Sequence, residues 1–359
     1  MKKQPIIIIG AGLTGLATAW LLKKQGINAL VLEARESVGG RIETITGANG
    51  TPIEMGATWF GGKHQFLVNL LKELQIAAFP QFQQGKGLFE SMSFTPAQEF
   101  DMPQGEEPSY RIAGGTQTVI QTLKESLNAE QIITGAKVHT IVQQTRGLQV
   151  FTQDTQYLAE QVISTLPPKL LVETVEFSPA LPESIANLCA NTHTWMGESI
   201  KFAVEYSTPF WRERGFSGAI FSQVGIANEV HDHTNLEENT FALKGFLSGG
   251  SRQMTKAQRE AEVLKQLERL FGKVALEYTG YYEKVWANEP FTTDRVNEYL
   301  LPHQNNGHPV FQNALLDDRF VIAGTETSPV FGGYMDGAVH SAHLVVERLA
   351  EKLKVKGEV

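Results

Sequence analysis

Hydrophobic residues in this chain come in runs of two kinds. Ile6-Ile7-Ile8-Ile9 is an unbroken β-branched run, the pattern of a strand buried on both faces in a parallel sheet. Leu16, Ala17, Ala19, Trp20, Leu21 and Leu22 continue as a helix that Gly26 stops. Ala29-Leu30-Val31-Leu32 then makes a second strand ending at Glu33. An amphipathic helix is predicted from His64 to Gln75, with Phe66, Leu67, Leu70, Leu71 and Leu74 on one side. Residues 79–108, rich in Gln, Gly, Pro and Phe, read as irregular. A helix is expected from Thr116 to Leu127, and strands at 132–133, 137–141, 148–151 and 161–165. Leu166-Pro167-Pro168 stops that series, because proline cannot continue a strand ladder, and marks a crossing into a second domain. Ser199 to Tyr206 alternates like a strand. Lys256 to Leu270 reads as an amphipathic helix with Ala257, Ala261, Leu264, Leu267 and Phe271 on one face, and Tyr281 to Ala287 as a further strand.

Strand, turn, helix, strand at the start argues against one tempting alternative. Lys2-Lys3 before the apolar run Ile6–Leu22 resembles a signal peptide, but Gly10, Gly12 and Gly15 interrupt the run and Lys23-Lys24 closes it without a cleavage site. No later segment has the apolar length of a membrane span, and the polar Lys352–Val359 gives no tail anchor. The 359 residues suggest about two domains. Lys+Arg 31 against Asp+Glu 39 leaves a net charge of −8, with no basic run to grip nucleic acid. The single Cys189 can form neither an internal disulfide nor a cysteine-based zinc site, which points to the cytoplasm. The histidines are scattered without metal-ligand spacing, so no metal is expected, and His231 and His233 are expected to face solvent in an acidic loop.

Chemistry enters with Gly10-Ala11-Gly12-Leu13-Thr14-Gly15, which joins the first strand to the first helix. Gly10 permits a tight turn, Gly12 lets a pyrophosphate approach the backbone, and Gly15 lets the helix pack on the sheet. The free N–H groups and dipole at the helix start, at Leu13 and Thr14, favour phosphate. Glu33, followed by Ala34 and Arg35, closes the second strand where a carboxylate can accept from ribose hydroxyls. Such a carboxylate repels a 2′-phosphate and so argues against NADP, leaving NAD or FAD. Gly39-Gly40-Arg41 can set a guanidinium beside a phosphate, or leave Arg41 in a surface ion pair. Ile53-Glu54-Met55 then leads into Gly56, Ala57, Thr58 and Trp59, where small residues can lie against a flat ring.

These motifs together resemble the flavin monoamine oxidase family. The C-terminal part agrees: Arg319 to Thr327, with Gly324, Thr325 and Glu326, resembles the family's strand and turn beside the flavin ribityl chain. Gly332 to Val339, with Gly333, Tyr334, Met335, Asp336 and Ala338, resembles the start of its last helix, aimed at the flavin pyrimidine ring. The resemblance implies an α/β fold: a Rossmann-like FAD-binding domain with a parallel sheet plus an α+β substrate domain. It implies a discontinuous FAD domain of residues 1–78, 112–168 and 289–359, with 79–111 and 169–288 forming the substrate domain. Family members usually carry a longer helical insertion where this chain has residues 79–108.

The same resemblance assigns roles. Val138 matches the position whose backbone holds adenine. Lys201, which by alternation alone would point outward from its strand, matches a lysine reaching flavin N5 through a water. A cation there favours the anion that forms as oxygen takes up an electron. Trp286 matches an aromatic packed near the isoalloxazine, though core packing explains it as well. Tyr334 matches one wall of an aromatic cage for the amine. Val296 stands at the other wall, so Phe291 or Tyr299 would have to substitute. Arg295 stands where covalently flavinylated relatives have cysteine, so FAD would be bound noncovalently. The implied enzyme is an FAD-dependent amine oxidase with a small-molecule amine as substrate and O2 as acceptor. A desaturase or protoporphyrinogen oxidase-like enzyme acting on C–C bonds, or a flavin-binding protein with a decayed site, shares the fingerprint.

Overall fold

Ile6–Ile9 end a strand whose side chains leave in alternate directions, and both directions are covered. In the computed structural model, which describes residues 2–103, 105, 107–293 and 300–356, the chain opens with β1 (Lys2–Ile9), α1 (Leu13–Lys24) and β2 (Leu30–Leu32). The hairpin β3 (Thr44–Thr46) and β4 (Pro52–Glu54) leads to α2 (Gln65–Glu73). Then come β5 (Ala78–Pro80), β6 (Lys86–Glu90), β7 (Gln98–Asp101), β8 (Tyr110–Ile112) and α3 (Gln117–Glu125). The segment expected to be irregular therefore holds a hairpin, because β6 finds an edge to pair with on the later strand Phe216–Ser222. Next are β9 (Ile132–Ile133), β10 (Val138–Gln144), β11 (Gly147–Thr152), β12 (Gln156–Ser164), α4 (Pro168–Thr174), β13 (Glu176–Ser178) and α5 (Glu183–Ala190). β14 (Ile200–Tyr206), α6 (Phe210–Glu213), β15 (Phe216–Ser222), β16 (Ala227–Asp232), β17 (Phe241–Leu247), α7 (Lys256–Phe271) and β18 (Tyr278–Val285) follow, and β19 (Phe320–Ile322) and α8 (Met335–Lys356) come last.

The first sheet runs β13-β10-β11-β12-β1-β2-β9, with β19 also pairing β12. Its centre is parallel: β1 lies between β12 and β2, in register Ile7–Val162 and Ile7–Leu30. Ile6 and Ile8 pack with α1, α2, α3 and α8, whereas Ile7 and Ile9 pack with Val150, Phe320 and residues of α4 and α5. Covering both faces of β1 is what an all-apolar strand requires. The chain does not leave this layer at Pro167-Pro168. α4 and α5 pack onto the first sheet, and β13 pairs in parallel with β10.

The second sheet runs β18-β14-β17-β16-β15-β6-β7. One face of β14, carrying Ile200, Phe202, Val204 and Tyr206, joins the core under α7. α7 presents Val263, Leu267 and Phe271 to it, while Ala257 and Ala261 are exposed. The buried stripe is thus rotated toward Arg259 and Gln266, which reach partners in the sheet. The opposite face carries Lys201 and Ala203, paired with Phe246 and Lys244 of β17, which in turn pair with Glu229 and His231 of β16. A charged face turned inward fits a sheet that closes over a site.

Candidate active site

A cavity of about 700 Å³ runs from the β1–α1 turn to the charged face of the second sheet. Its end at the β1–α1 turn is made largely of backbone. α1 begins at Gly12, which has no side-chain cap, so the first N–H groups face the cavity beside Leu13 and Thr14. A Cβ on Gly12 would meet only Gly40 at 3.8 Å and Gly39 at 3.9 Å, so its missing side chain leaves room on the cavity side. Gly15 is different: a Cβ there would lie 1.9 Å from the Gly10 carbonyl oxygen. It does not line the cavity, and it serves the helix–turn packing. Glu33 is buried. Its two oxygens accept from the Ala11 N–H at 2.7 Å and the Arg35 N–H at 2.9 Å, which fixes the carboxylate at the cavity edge. Ala34, Arg35, Val138 and Lys137 line the same end. Arg35 donates to the Gly40 carbonyl at 2.8 Å and to Thr292 at 3.0 Å, yet its buried Nε has no partner among the described residues. An orphaned donor, an uncapped helix start and a fixed carboxylate together suit a dinucleotide.

Arg41 lines the cavity, but its guanidinium is already clamped. It bonds both oxygens of the wholly buried Glu326, at 2.5 and 2.9 Å, and donates to the Trp195 carbonyl at 3.1 Å. Glu326 is therefore a support for Arg41 and not itself a cavity residue. Gly324 and Asp336 also lie outside the lining. The Gly324 N–H donates to Ser341 at 3.0 Å. Asp336 accepts from the Leu67 N–H at 2.9 Å, placing a carboxylate at the start of α2 as well as in the first turn of α8. Gly40, Thr325, Gly333, Met335 and Ala338 all line the cavity.

The other end is built by side chains. Gly56, Ala57, Thr58 and Trp59 form one wall, where a Cβ on Gly56 would stand 2.3 Å from the Arg41 carbonyl oxygen. Lys201, 4% exposed, lines the cavity and donates to the Gly56 carbonyl. Alternation alone would have sent it to solvent, but this face of β14 is covered. Burial pushes its ammonium down to about 8, against the pull of Glu54 and Glu229. Trp286 is buried, lines the cavity and donates from Nε1 to the Met55 carbonyl at 2.8 Å. Tyr334 lines it from the start of α8.

Behind Lys201 lies a charged cluster that sequence reasoning missed. Lys244 is fully buried and donates to Thr58 Oγ1 at 2.6 Å, 4.2 Å from the centre of the Trp59 ring. Burial drives its amine well below the ordinary lysine range, and Lys201 adds to that. Burial raises the carboxyl of Glu54, which accepts from the Thr116 N–H and from Thr44 at 3.0 Å. Arg111, lowered by burial to about 10, donates to the carbonyls of Asp232 and Thr234. Glu229 lines the cavity, and its bond to His231 at 2.8 Å holds it below the usual carboxylate range.

Two expectations about histidine and aromatic residues are corrected. His233 is buried, beside Pro52 and Glu54, and burial holds its imidazole well below its ordinary value. His231 sits within β16 opposite Lys244, and strand pairing brings both histidines inward. Phe291 does not face Tyr334. Lys137 lies over its ring at 5.9 Å, and the adjacent Thr292 bonds Arg35, so Phe291 belongs to the end of the cavity at Arg35 and Lys137. Among the described residues, the aromatic neighbours of Tyr334 are His303 at 5.5 Å, His64 at 5.6 Å and Trp195 at 5.8 Å, and Trp195 and His303 are themselves stacked at 3.8 Å. Trp195 lines the cavity from an irregular loop, where no periodicity could mark it. Arg295, Val296 and Tyr299 lie outside the described residues.

The fold has known counterparts. The chain superposes with a TM-score of 0.85 on wild-type putrescine oxidase bound to putrescine, at 22% identity over 97% of this chain and 99% of that one. Cyclohexylamine oxidase from Brevibacterium oxydans gives 0.86 at 20% identity, over 98% and 99%. In sequence, the chain is 24% identical to a probable flavin-containing monoamine oxidase A of Dictyostelium discoideum, over 97% of this chain and 98% of the relative. It is 25% identical to the human flavin-containing amine oxidase B, over 98% and 86%. The model of the flavin containing amine oxidoreductases matches residues 13–90 and 81–350. With nearly its full length matched, this chain belongs to the flavin-containing amine oxidoreductases.

Proposed function

We propose that the cavity holds FAD noncovalently and that the protein oxidises a small amine at the carbon beside its nitrogen. When bound, FAD would supply the hydride acceptor for that carbon and the route of the electron pair to O2, which would leave as H2O2, while water would convert the imine to an aldehyde or ketone and ammonia or an amine. This chain's own residues bind, orient and exclude water. The backbone around Gly12, Leu13 and Thr14 receives the pyrophosphate, Glu33 the ribose hydroxyls, Val138 the adenine, and Thr325 the ribityl chain. The wall Gly56–Trp59, with Lys201, Trp286 and Tyr334, encloses the ring and the reacting carbon. No side-chain base is needed when the amine arrives neutral.

The observation that carries this reading is convergence. Lys201, Trp286, Gly56–Trp59 and Tyr334 line the cavity whose far end is the glycine turn. Glu229 adds a carboxylate at the same end. Trp195, beside Tyr334 and lining the cavity, serves as the second aromatic wall in this reading. We also assign residues 1–78, 112–190 and 289–359 to the FAD-binding domain and the remainder to the substrate domain, in the cytoplasm. The test is to mix the yellow protein anaerobically with a panel of amines, then admit air and measure peroxide. Bleaching by an amine followed by peroxide is expected, and acid precipitation should release all the flavin. A flavin that no amine bleaches, but a carbocyclic compound does, overturns the reading.

A further inference from the structure

Trp195 stands in the loop between α5 and β14, where the chain crosses from the first sheet to the second. No strand or helix holds it there, yet both of its backbone groups are tied to one ion pair. The Trp195 N–H donates to Glu326 Oε1 at 3.3 Å, and the Trp195 carbonyl accepts from Arg41 Nη1 at 3.1 Å. Arg41 and Glu326 close the circuit by bonding each other at 2.5 and 2.9 Å. Among the described residues, every hydrogen bond of the Arg41 guanidinium goes to Glu326 or Trp195. The Trp195 carbonyl belongs to the peptide unit that enters Met196, whose φ is +60°. A non-glycine residue keeps that left-handed backbone only where its surroundings impose it, and Arg41 fixes the unit on its near side.

The ring is seated by two further features. His303 stacks on it, with centroids 3.8 Å apart and planes 23° apart. Gly333 leaves the room: a Cβ there would stand 3.0 Å from Cβ and Cγ of Trp195 and 3.0 Å from Cε1 of His303. The bare position before Tyr334 therefore admits the indole, whose ring lies 5.8 Å from that of Tyr334. Trp195, Met196, Gly333 and Tyr334 all line the cavity, whereas Glu326 stands behind it.

We propose that Arg41 and Glu326 are a positioning pair for the substrate: they hold the backbone of Trp195 so that its ring continues the aromatic wall of Tyr334 inside the cavity. This rests on the reading of that wall as the seat of the amine. It gives the arginine of Gly39-Gly40-Arg41 a task at the substrate end, where the motif alone pointed to a phosphate. The pair and the ring then form one unit, so the energetic effects of disturbing them should not add.

The experiment replaces both charges together, because removing one would strand the other. Arg41→Met/Glu326→Leu keeps apolar bulk and leaves the Trp195 backbone without its two partners. Protein labelled with 5-fluorotryptophan is loaded with flavin and its 19F spectrum recorded, with Trp195→Phe assigning the Trp195 signal. In the double variant that signal should shift or split, while those of Trp20 and Trp211, in the two cores, stay in place. In anaerobic reduction by an amine, the apparent amine affinity should weaken by about three- to tenfold, the worth of one aromatic contact, with the limiting rate changed less. Trp195→Ala should weaken it equally, and adding Trp195→Ala to the double variant should cost nothing more. Glu326→Gln, a smaller change that keeps an oxygen acceptor, should move the Trp195 signal in the same direction with flavin content unchanged, and it decides alone should the double variant not fold. An unmoved Trp195 signal overturns the proposal, as does a full further loss on adding Trp195→Ala. A folded double variant that takes up no flavin assigns the pair to the cofactor and overturns it as well. The spectrum needs no amine. Should Trp195→Ala bind amine as the wild type does, the reading of the wall fails, while the spectrum still decides whether the pair holds Trp195.

Discussion

The two ends of the cavity are made in different ways. The nucleotide end takes its geometry from one short stretch, Gly10 to Glu33, whose working groups are backbone N–H groups and a carboxylate tied to two more of them. The reaction end is assembled from β14, β16 and β17 together with the wall after β4, and its working groups are side chains held by strand register. A backbone site depends on what side chains leave out; a side-chain site depends on what they supply. Substitutions at the first should therefore act through space and folding, and at the second through charge.

The largest effect tests the glycines against each other. Gly15→Ala puts a carbon 1.9 Å from a carbonyl oxygen and should prevent stable folding, read as loss of soluble protein or of a cooperative melt. Gly12→Val should fold normally, because its first carbon meets ordinary distances, yet purify without flavin. A Gly12→Val protein carrying a full complement of flavin would break the assignment of the nucleotide end. The next effect belongs to the other end. Lys201→Met keeps the apolar stem but removes a charge, so reoxidation of the reduced flavin should slow on the order of 10²-fold, with flavin content unchanged and reduction by substrate much less affected. Rapid mixing of each half-reaction separates the two, and equal reoxidation in mutant and wild type would make this lysine a structural residue. The smallest effect is Glu33→Ala. It removes a charge-assisted acceptor and should weaken flavin binding by about 1.5–3 kcal/mol, a shift that flavin titration of the apoprotein measures.

What the sequence disclosed follows the same division. Gly10, Gly12, Gly15 and Glu33 could be read directly because their meaning is local: a strand, a turn, a helix start and the end of the next strand. Lys201 stood out as a charge within an apolar strand, and the family resemblance gave it a direction. Lys244 carries the same mark within Phe241–Leu247 but cannot be placed from sequence, since nothing in either strand states that residue 201 pairs with residue 246. His231 and His233 are obscured for the same reason, because their polar neighbours suggest a loop where pairing makes a strand end, with His233 buried and His231 half-buried. Trp195 and Phe291 sit in irregular stretches, where position depends on what the loop packs against and not on any period.

The ion pair of Arg41 with Glu326 has a consequence for the order of events during synthesis. The two residues are 285 positions apart in the chain. At a translation rate of roughly 5–20 residues per second, Arg41 leaves the ribosome roughly 15–60 s before its partner. Throughout that interval the glycine turn and its helix exist without the clamp and without α8, which packs against α1. A nascent chain therefore carries the glycine turn long before it can have a closed pocket.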